Sequence, residues 1–293
     1  MRGMRMSIEM RTLSKTFNKK ERALSDIQFT LRKGEVVGLV GPNGAGKTTL
    51  MKIISGIIVQ YDGELTFREQ GRSIGSLIEK PKFFPNKSGR YNIHYFRSLF
   101  GGDDEHFDEI IQSLGMESYL KKKVKDYSLG MKQRLGIALA LISNPDYLVL
   151  DEPTNGMDPE GIRNILGYLK RLAKEKGIGI LISSHILEDV ENISDRVYVI
   201  KEGRLINEYA REQNRAEVLE LMFSERDLPQ AVNVLAGYEG VIRSGSVLSV
   251  PFDGDMKQVL KHLGQHDLFP ADVKRKKDTL EDFYFQNMES EAK

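Results

Sequence analysis

The sequence predicts an α/β fold: a mostly parallel sheet, a helical insertion, and a small α+β domain at the C-terminal end. Three observations predict it. Short β-branched apolar runs at residues 36–40, 147–150, 178–182 and 197–200 each have the length of a fully buried strand. Helical stretches separate them, which is the alternation of a parallel sheet. From about Ala210 the pattern changes to short helix and strand candidates in turn.

Taken in order, the first forty residues read as short strands and turns. The run Val36-Val37-Gly38-Leu39-Val40 leads straight into Gly41-Pro42-Asn43-Gly44-Ala45-Gly46-Lys47-Thr48-Thr49. Leu50, Ile53, Ile54 and Ile57 then fall at helical spacing, with Gly56 at a natural helix stop. Between about 80 and 135 the chain is mainly helical and more polar, with helices expected over 92–100, 107–114 and 128–141. Gly101-Gly102 and Gly115 break them. The strands at 147–150 and 178–182 follow, and 197–200 with Lys201-Glu202-Gly203 forms a strand and turn that closes the domain. Beyond it, helices are expected at 228–235 and 256–263, strands around 241–250, and a last helical stretch at 280–288 whose Tyr284 and Phe285 pack. The expected organisation is a first domain over 1–209, with a helical subdomain at about 80–135, and an accessory domain over 210–293.

Composition bounds the function. Of 293 residues 40% are apolar and 29% charged, enough to bury a substantial core. Lys plus Arg number 43 against 42 for Asp plus Glu, so a domain built to wrap nucleic-acid phosphates is not expected. The basic runs Lys121–Lys123 and Lys274–Lys277 lack interleaved aromatics and read as solvated faces. Without cysteine there is no disulfide or thiolate chemistry. No stretch approaches the roughly 20 apolar residues of a membrane span, and the N-terminal arginines have no apolar run behind them, so a soluble chain without a signal peptide is expected.

Gly41-x-x-x-x-Gly46-Lys47-Thr48 matches the phosphate-binding loop in full, including the strand before it and the helix after it. Its glycines let successive N–H groups turn inward around phosphate oxygens, and the helix N-terminus adds unpaired donors and partial positive charge. In that role Lys47 reaches the β and γ phosphates and the Thr48 hydroxyl ligates Mg²⁺. Asp151 and Glu152 follow the strand at 147–150. An aspartate there holds the magnesium, and the glutamate orients or deprotonates the attacking water. Taken alone, the pair fits a solvated turn ahead of Pro153 equally well.

Further residues resemble one family, the ATP-binding subunits of ABC transporters. Tyr127-Ser128-Leu129-Gly130-Met131-Lys132-Gln133-Arg134 resembles its signature; Gly156-Met157-Asp158 resembles the loop after the catalytic glutamate; Ser184-His185 resembles its switch histidine. Phe17, in Lys15-Thr16-Phe17-Asn18, resembles the aromatic that stacks on adenine. The motifs stand in the family's order over about residues 7–207. The resemblance implies a RecA-like core with an antiparallel β subdomain and a helical subdomain. It also implies two ATPase subunits, identical or different, facing head to tail with ATP between them. Ser128, Leu129, Gly130 and Met131 would then serve the nucleotide held by the partner, and His185 would contact the γ-phosphate.

Two departures narrow the resemblance. Leu129 and Met131 stand where the family usually has a glycine and a glutamine, and Glu79, in Ile78-Glu79-Lys80, replaces a usual glutamine. Both look like those of the bacitracin and lantibiotic exporters. Glu79 either adds negative charge near Mg²⁺ or is an exposed glutamate facing Lys80 and Lys82. The aromatics Phe83-Phe84-Pro85 and Tyr91–Phe96 read mostly as core, with one or two fitting a groove for a coupling helix of a membrane subunit. The expected protein is an Mg-ATP hydrolase that powers export of an antimicrobial peptide through a separate membrane permease, at the cytoplasmic face of a bacterial membrane. Two alternatives are a transporter ATPase with another substrate and a non-transport ABC protein acting on ribosomes or DNA.

Overall fold

The computed structural model describes residues 6–18, 20–68, 73–79, 81–101, 104–210, 217–238, 240–252, 256–277 and 279–289. Contacts divide the chain into two units, one running to Tyr209 and rejoined from Asn287, the other spanning Ala210–Gln286.

In the first unit, β1 (Ser7–Phe17) pairs antiparallel with β2 (Glu21–Arg32). These strands have 11 and 12 residues, longer than the expected short strands. Register shifts between Met10 and Thr16, with Thr12 and Asp26 at φ +49° and +51°, break the period-2 alternation that would have revealed their length. Next come β3 (Val36–Val40), α1 (Lys47–Ile54), β4 (Asp62–Phe67), which pairs with the far side of β1, and β5 (Ile74–Leu77). Gly56 at φ +71° ends α1 early, and Ile57, expected on the helical face, lies beyond it and is exposed.

The helical segment comprises α2 (Gly89–Phe100), α3 (Asp104–Ser113), a 3₁₀ turn at Val124–Asp126 and α4 (Leu129–Leu141). α2 starts three residues before the expected position because Ser88 caps it, its Oγ accepting from Tyr91 N at 3.1 Å. The unit continues with β6 (Tyr147–Asp151), α5 (Pro159–Lys176), β7 (Gly179–Ser183), α6 (Leu187–Ile193), β8 (Arg196–Lys201) and β9 (Arg204–Ala210).

Six strands form one sheet in the order β5-β6-β7-β3-β8-β9, parallel from β5 through β8. Side chains alternate between two cores. Leu148, Leu150, Ile180 and Ile182 face the cluster containing Ile93, Ile110, Leu135, Ile165 and Leu169. Val149, Leu181, Val37 and Leu39 face the other, with Ile8, Phe29, Leu50 and Ile53. Burial on both faces is why these strands read as unbroken apolar runs.

The second unit runs β10 (Glu217–Met222), α7 (Leu228–Leu235), β11 (Ile242–Ser244), β12 (Val247–Phe252), α8 (Met256–Gly264), β13 (Asp272–Lys277) and into α9 (Leu280–Glu289). Its sheet is antiparallel in the order β11-β12-β10-β13. A βαββαβ chain with that order is the ferredoxin-like split βαβ arrangement. Leu219, Leu221, Leu248 and Val250 pack against Ala231, Leu235, Val259 and Leu263. The basic run at 274–277, expected as a solvated face, lies on the edge strand β13.

Candidate active site

The phosphate loop joins the buried end of β3 to α1, and its backbone accounts for its composition. Gly44 and Gly46 stand at φ +81° and +109°, conformations that strain any residue with a Cβ. Lys47 Nζ donates to the carbonyls of Gly41 at 2.7 Å and Pro42 at 3.0 Å, folding the loop around its ammonium. Burial pushes that ammonium's pKa down, against the opposing pull of Glu152 and Asp151. Gly203 N, in the β8–β9 turn, donates to Ala45 O at 2.9 Å and braces the loop from outside.

The loop floors a cleft of about 390 Å³ lined by Phe17, the Glu21–Ala23 segment, Asn43–Thr49, Asp151 and Glu152. Phe17 stands at the end of β1, with Lys15 Nζ 4.9 Å from its ring centroid. An aromatic ring, a glycine-rich loop at a helix N-terminus and a lysine around one cleft are what a base and its phosphates require.

Asp151 closes β6 next to β7, so its carboxylate reaches both neighbours. Its Oδ2 accepts from Thr48 Oγ1 at 2.9 Å and its Oδ1 from Ser183 Oγ at 2.6 Å. Hydroxyl and carboxylate oxygens of this kind suit Mg²⁺, a hard cation that keeps waters and phosphate oxygens in its shell. Among the described residues no group of three or more His, Cys, Asp or Glu gathers as an all-protein metal cage.

Glu152 is held at φ +52°, with its N–H donating to Ser183 Oγ at 3.1 Å and Ser183 O at 3.2 Å. His185 Nδ1 stands 2.6 Å from Glu152 Oε2, and His185 N donates to the same oxygen at 3.4 Å. Ser183 therefore orients both acidic residues, and sequence reasoning missed it. Its signal was the polar residue ending Ile180-Leu181-Ile182-Ser183, an otherwise apolar run.

The signature residues form the start of α4, and none of them lines the Lys47 cleft. Ser128 caps the helix, its Oγ accepting from Met131 N at 3.2 Å; Leu129 is half exposed, Gly130 is buried, and Met131 packs on the first core. Asp158 caps α5, with Oδ1 accepting from Gly161 N at 2.9 Å. Glu79, at φ +59°, is exposed and pairs with Lys52 Nζ at 2.6 Å, outside the residues lining the cleft. Lys80, suggested as its neighbour, lies outside the described residues.

A second hollow of about 620 Å³ includes Ile57, Ile74, Leu77, Glu79, Phe96 and Phe100 among its lining. The aromatics nearby are less buried than a core reading expects. Phe84, Tyr91, Tyr95 and Phe100 are exposed, and rings in this region pack on one another, Phe84 lying 4.8 Å from Tyr95 and Phe96 lying 6.3 Å from Phe100.

Comparison with known proteins points the same way. The ABC transporter family model matches residues 24–155. The lantibiotic transport ATP-binding protein SrtF of Streptococcus pyogenes is 38% identical over 227 residues, 75% of this chain and 97% of that one. The bacitracin transport ATP-binding protein BcrA of Bacillus licheniformis is 33% identical over 288 residues, 90% of this chain and 92% of that one. A solved ATP-binding subunit of an ABC transporter superposes with a TM-score of 0.64 at 27% identity, covering 71% of this chain and 91% of that chain.

Proposed function

The chain belongs to the ATP-binding proteins of ABC transporters, and on that premise we propose that it hydrolyses Mg-ATP to drive export of an antimicrobial peptide through a separate membrane subunit. It is an ATPase of that family. The observation that carries the site reading is the bonding of Asp151 to Thr48 and Ser183, with Glu152 fixed beside it by Ser183.

In this reading the N–H groups of the 41–49 loop and the Lys47 ammonium bind the phosphates, and Phe17 carries the adenine. Thr48 and Asp151 would hold Mg²⁺, which would supply positive charge to the β and γ phosphates. Glu152 accepts the proton of the attacking water, a role typically worth about 10² to 10⁴ in rate. His185, hydrogen-bonded to Glu152, contacts the γ-phosphate and keeps that carboxylate oriented. Ser128 and the Gly130 N–H, at the N-terminus of α4, serve the nucleotide of a second ATPase subunit.

Two features support a membrane partner. Among the described residues no helix is long and apolar enough to cross a membrane, and the relatives are named as ATP-binding proteins of transport systems. The hollow beside α2 presents Phe100 and Ile57 at 63% and 58% exposure, an apolar seat for a helix of that subunit at the cytoplasmic face. Peptide export is supported by the relatives named for lantibiotic and bacitracin transport, and by Leu129 and Met131 in the signature.

Affinity purification of the tagged protein from solubilised native membranes tests the reading. The expected result is a polytopic membrane protein in stoichiometric amount, with deletion of either gene sensitising cells to a peptide antibiotic. Ribosomal proteins or nucleic acid in its place would overturn it.

A further inference from the structure

The start of α4 and the loop before α5 meet at a contact that neither motif requires. Leu129 is the first residue of α4, and its side chain lies over Gly156. A Cβ added to Gly156 would stand 2.4 Å from Leu129 Cδ2 and 2.7 Å from its Cγ, so a methyl there forces the Leu129 side chain or the loop to shift. Gly130 makes the reverse approach. A Cβ there would lie 3.1 Å from Gly156 O and 3.3 Å from Met157 Cγ. The chain therefore carries a bulky side chain at 129 and no side chain at 156, where that bulk lands.

We propose that Leu129 and Gly156 are a matched pair that fixes the signature segment against the Asp158 loop, with Leu129 acting as a positioning residue for hydrolysis. Ser128 and Asp158 each cap a helix through one short hydrogen bond, at 3.2 and 2.9 Å, and each stands at a junction of loop and helix. Junctions of that kind swing unless something ties them. Leu129 on Gly156 supplies the tie, so Ser128 and Asp158 approach the second subunit as one surface. α4 also reaches the backbone beside the hydrolytic residue, with the buried Gln133 Nε2 donating to the Glu152 carbonyl at 3.5 Å. The proposal rests on the reading of Ser128 as a group that serves the partner's nucleotide.

The test is a double-mutant cycle on the full chain: Gly156→Ala, Leu129→Gly and the two together. ATPase rate against ATP concentration, binding of a fluorescent ATP analogue and thermal melting are read for each. Gly156→Ala is expected to lower kcat about tenfold, with KM and analogue binding within about twofold of wild type. The double variant recovers most of that loss, because the methyl introduced at position 156 fills the space Leu129 vacates. Gly156 has φ +74°, so alanine is strained in both backgrounds and that strain cancels in the cycle. Leu129→Met, similar in volume, is expected to lose less kcat than Leu129→Ala, a comparison that survives if Gly156→Ala folds poorly. Additive losses in kcat, coupling seen in melting but not in kcat, or loss of analogue binding in Gly156→Ala would each overturn the proposal. A wild-type protein that binds the analogue but hydrolyses no ATP fails the ATPase reading instead, and is scored separately from the cycle.

Discussion

His185 Nδ1 and Glu152 Oε2 are 2.6 Å apart, within hydrogen-bond distance. The residue read as the base and the residue read as the γ-phosphate sensor therefore share one bond. Glu152→Gln is expected to bind ATP while hydrolysing it about 10² to 10⁴ times more slowly. The bound nucleotide then accumulates at a subunit interface, so the variant should elute as a dimer with Mg-ATP. Size-exclusion chromatography with light scattering checks this, and a strict monomer would count against the head-to-tail arrangement.

Lys47→Ala removes the ammonium that folds back on the carbonyls of Gly41 and Pro42. Nucleotide binding should be abolished. ATP at 100 times its dissociation constant should stabilise the wild-type protein by about 2.7 kcal/mol, and the variant not at all. Melting with and without Mg-ATP reads the difference directly.

Ser128→Arg deletes the cap of α4 and places a long cation where the partner's phosphates would dock. Hydrolysis should be lost while analogue binding stays nearly intact, because Ser128 does not line its own chain's cleft. The missing cap should also cost about 1 kcal/mol, visible as a lower melting temperature.

Asp146 ties β5 to β6, accepting from Ser73 N at 2.9 Å and pairing with Lys33. Burial acts to raise its pKa, but Lys33 and Ser73 outweigh it and hold the carboxyl below the ordinary carboxylate range. A lowered folded value means the stabilisation is complete above the unfolded value, 3.8, and is lost as pH falls through the folded one. Asp146→Asn should therefore cost about 1 to 2 kcal/mol at pH 7 and converge on wild type in acid. Denaturant titrations at the two pH values check the sign.

Legibility in the sequence followed locality. The phosphate loop, the strand before it and the helix after it lie in one stretch, so spacing alone exposed Gly41 to Thr49. Asp151 and Glu152 were readable because a strand buried on both faces must be apolar, and charge at its end stands out. Ser183 was not, because its importance comes from β7 lying beside β6, a pairing no local pattern states. The bracing of Ala45 by Gly203 is hidden for the same reason. In the second unit β10 and β13 escaped notice. β13 is rich in lysine, and its pairing with β10 rather than its composition makes it a strand.

That edge strand has a consequence for the chain's behaviour in a crowded cell. A sheet of four strands ends at two edge strands, the places where a stray strand would add by backbone pairing. One border, β11, is three residues long, too brief to template much. The other, β13, carries Lys274, Arg275, Lys276 and Lys277 in succession, so a second copy arriving edge to edge meets its own positive charge. Replacing the exposed Lys274 with threonine, while keeping Lys276 on Asp282 and Glu220, would weaken that repulsion. The cost would surface during production as turbid lysates, in a protein whose purified ATPase rate had not changed.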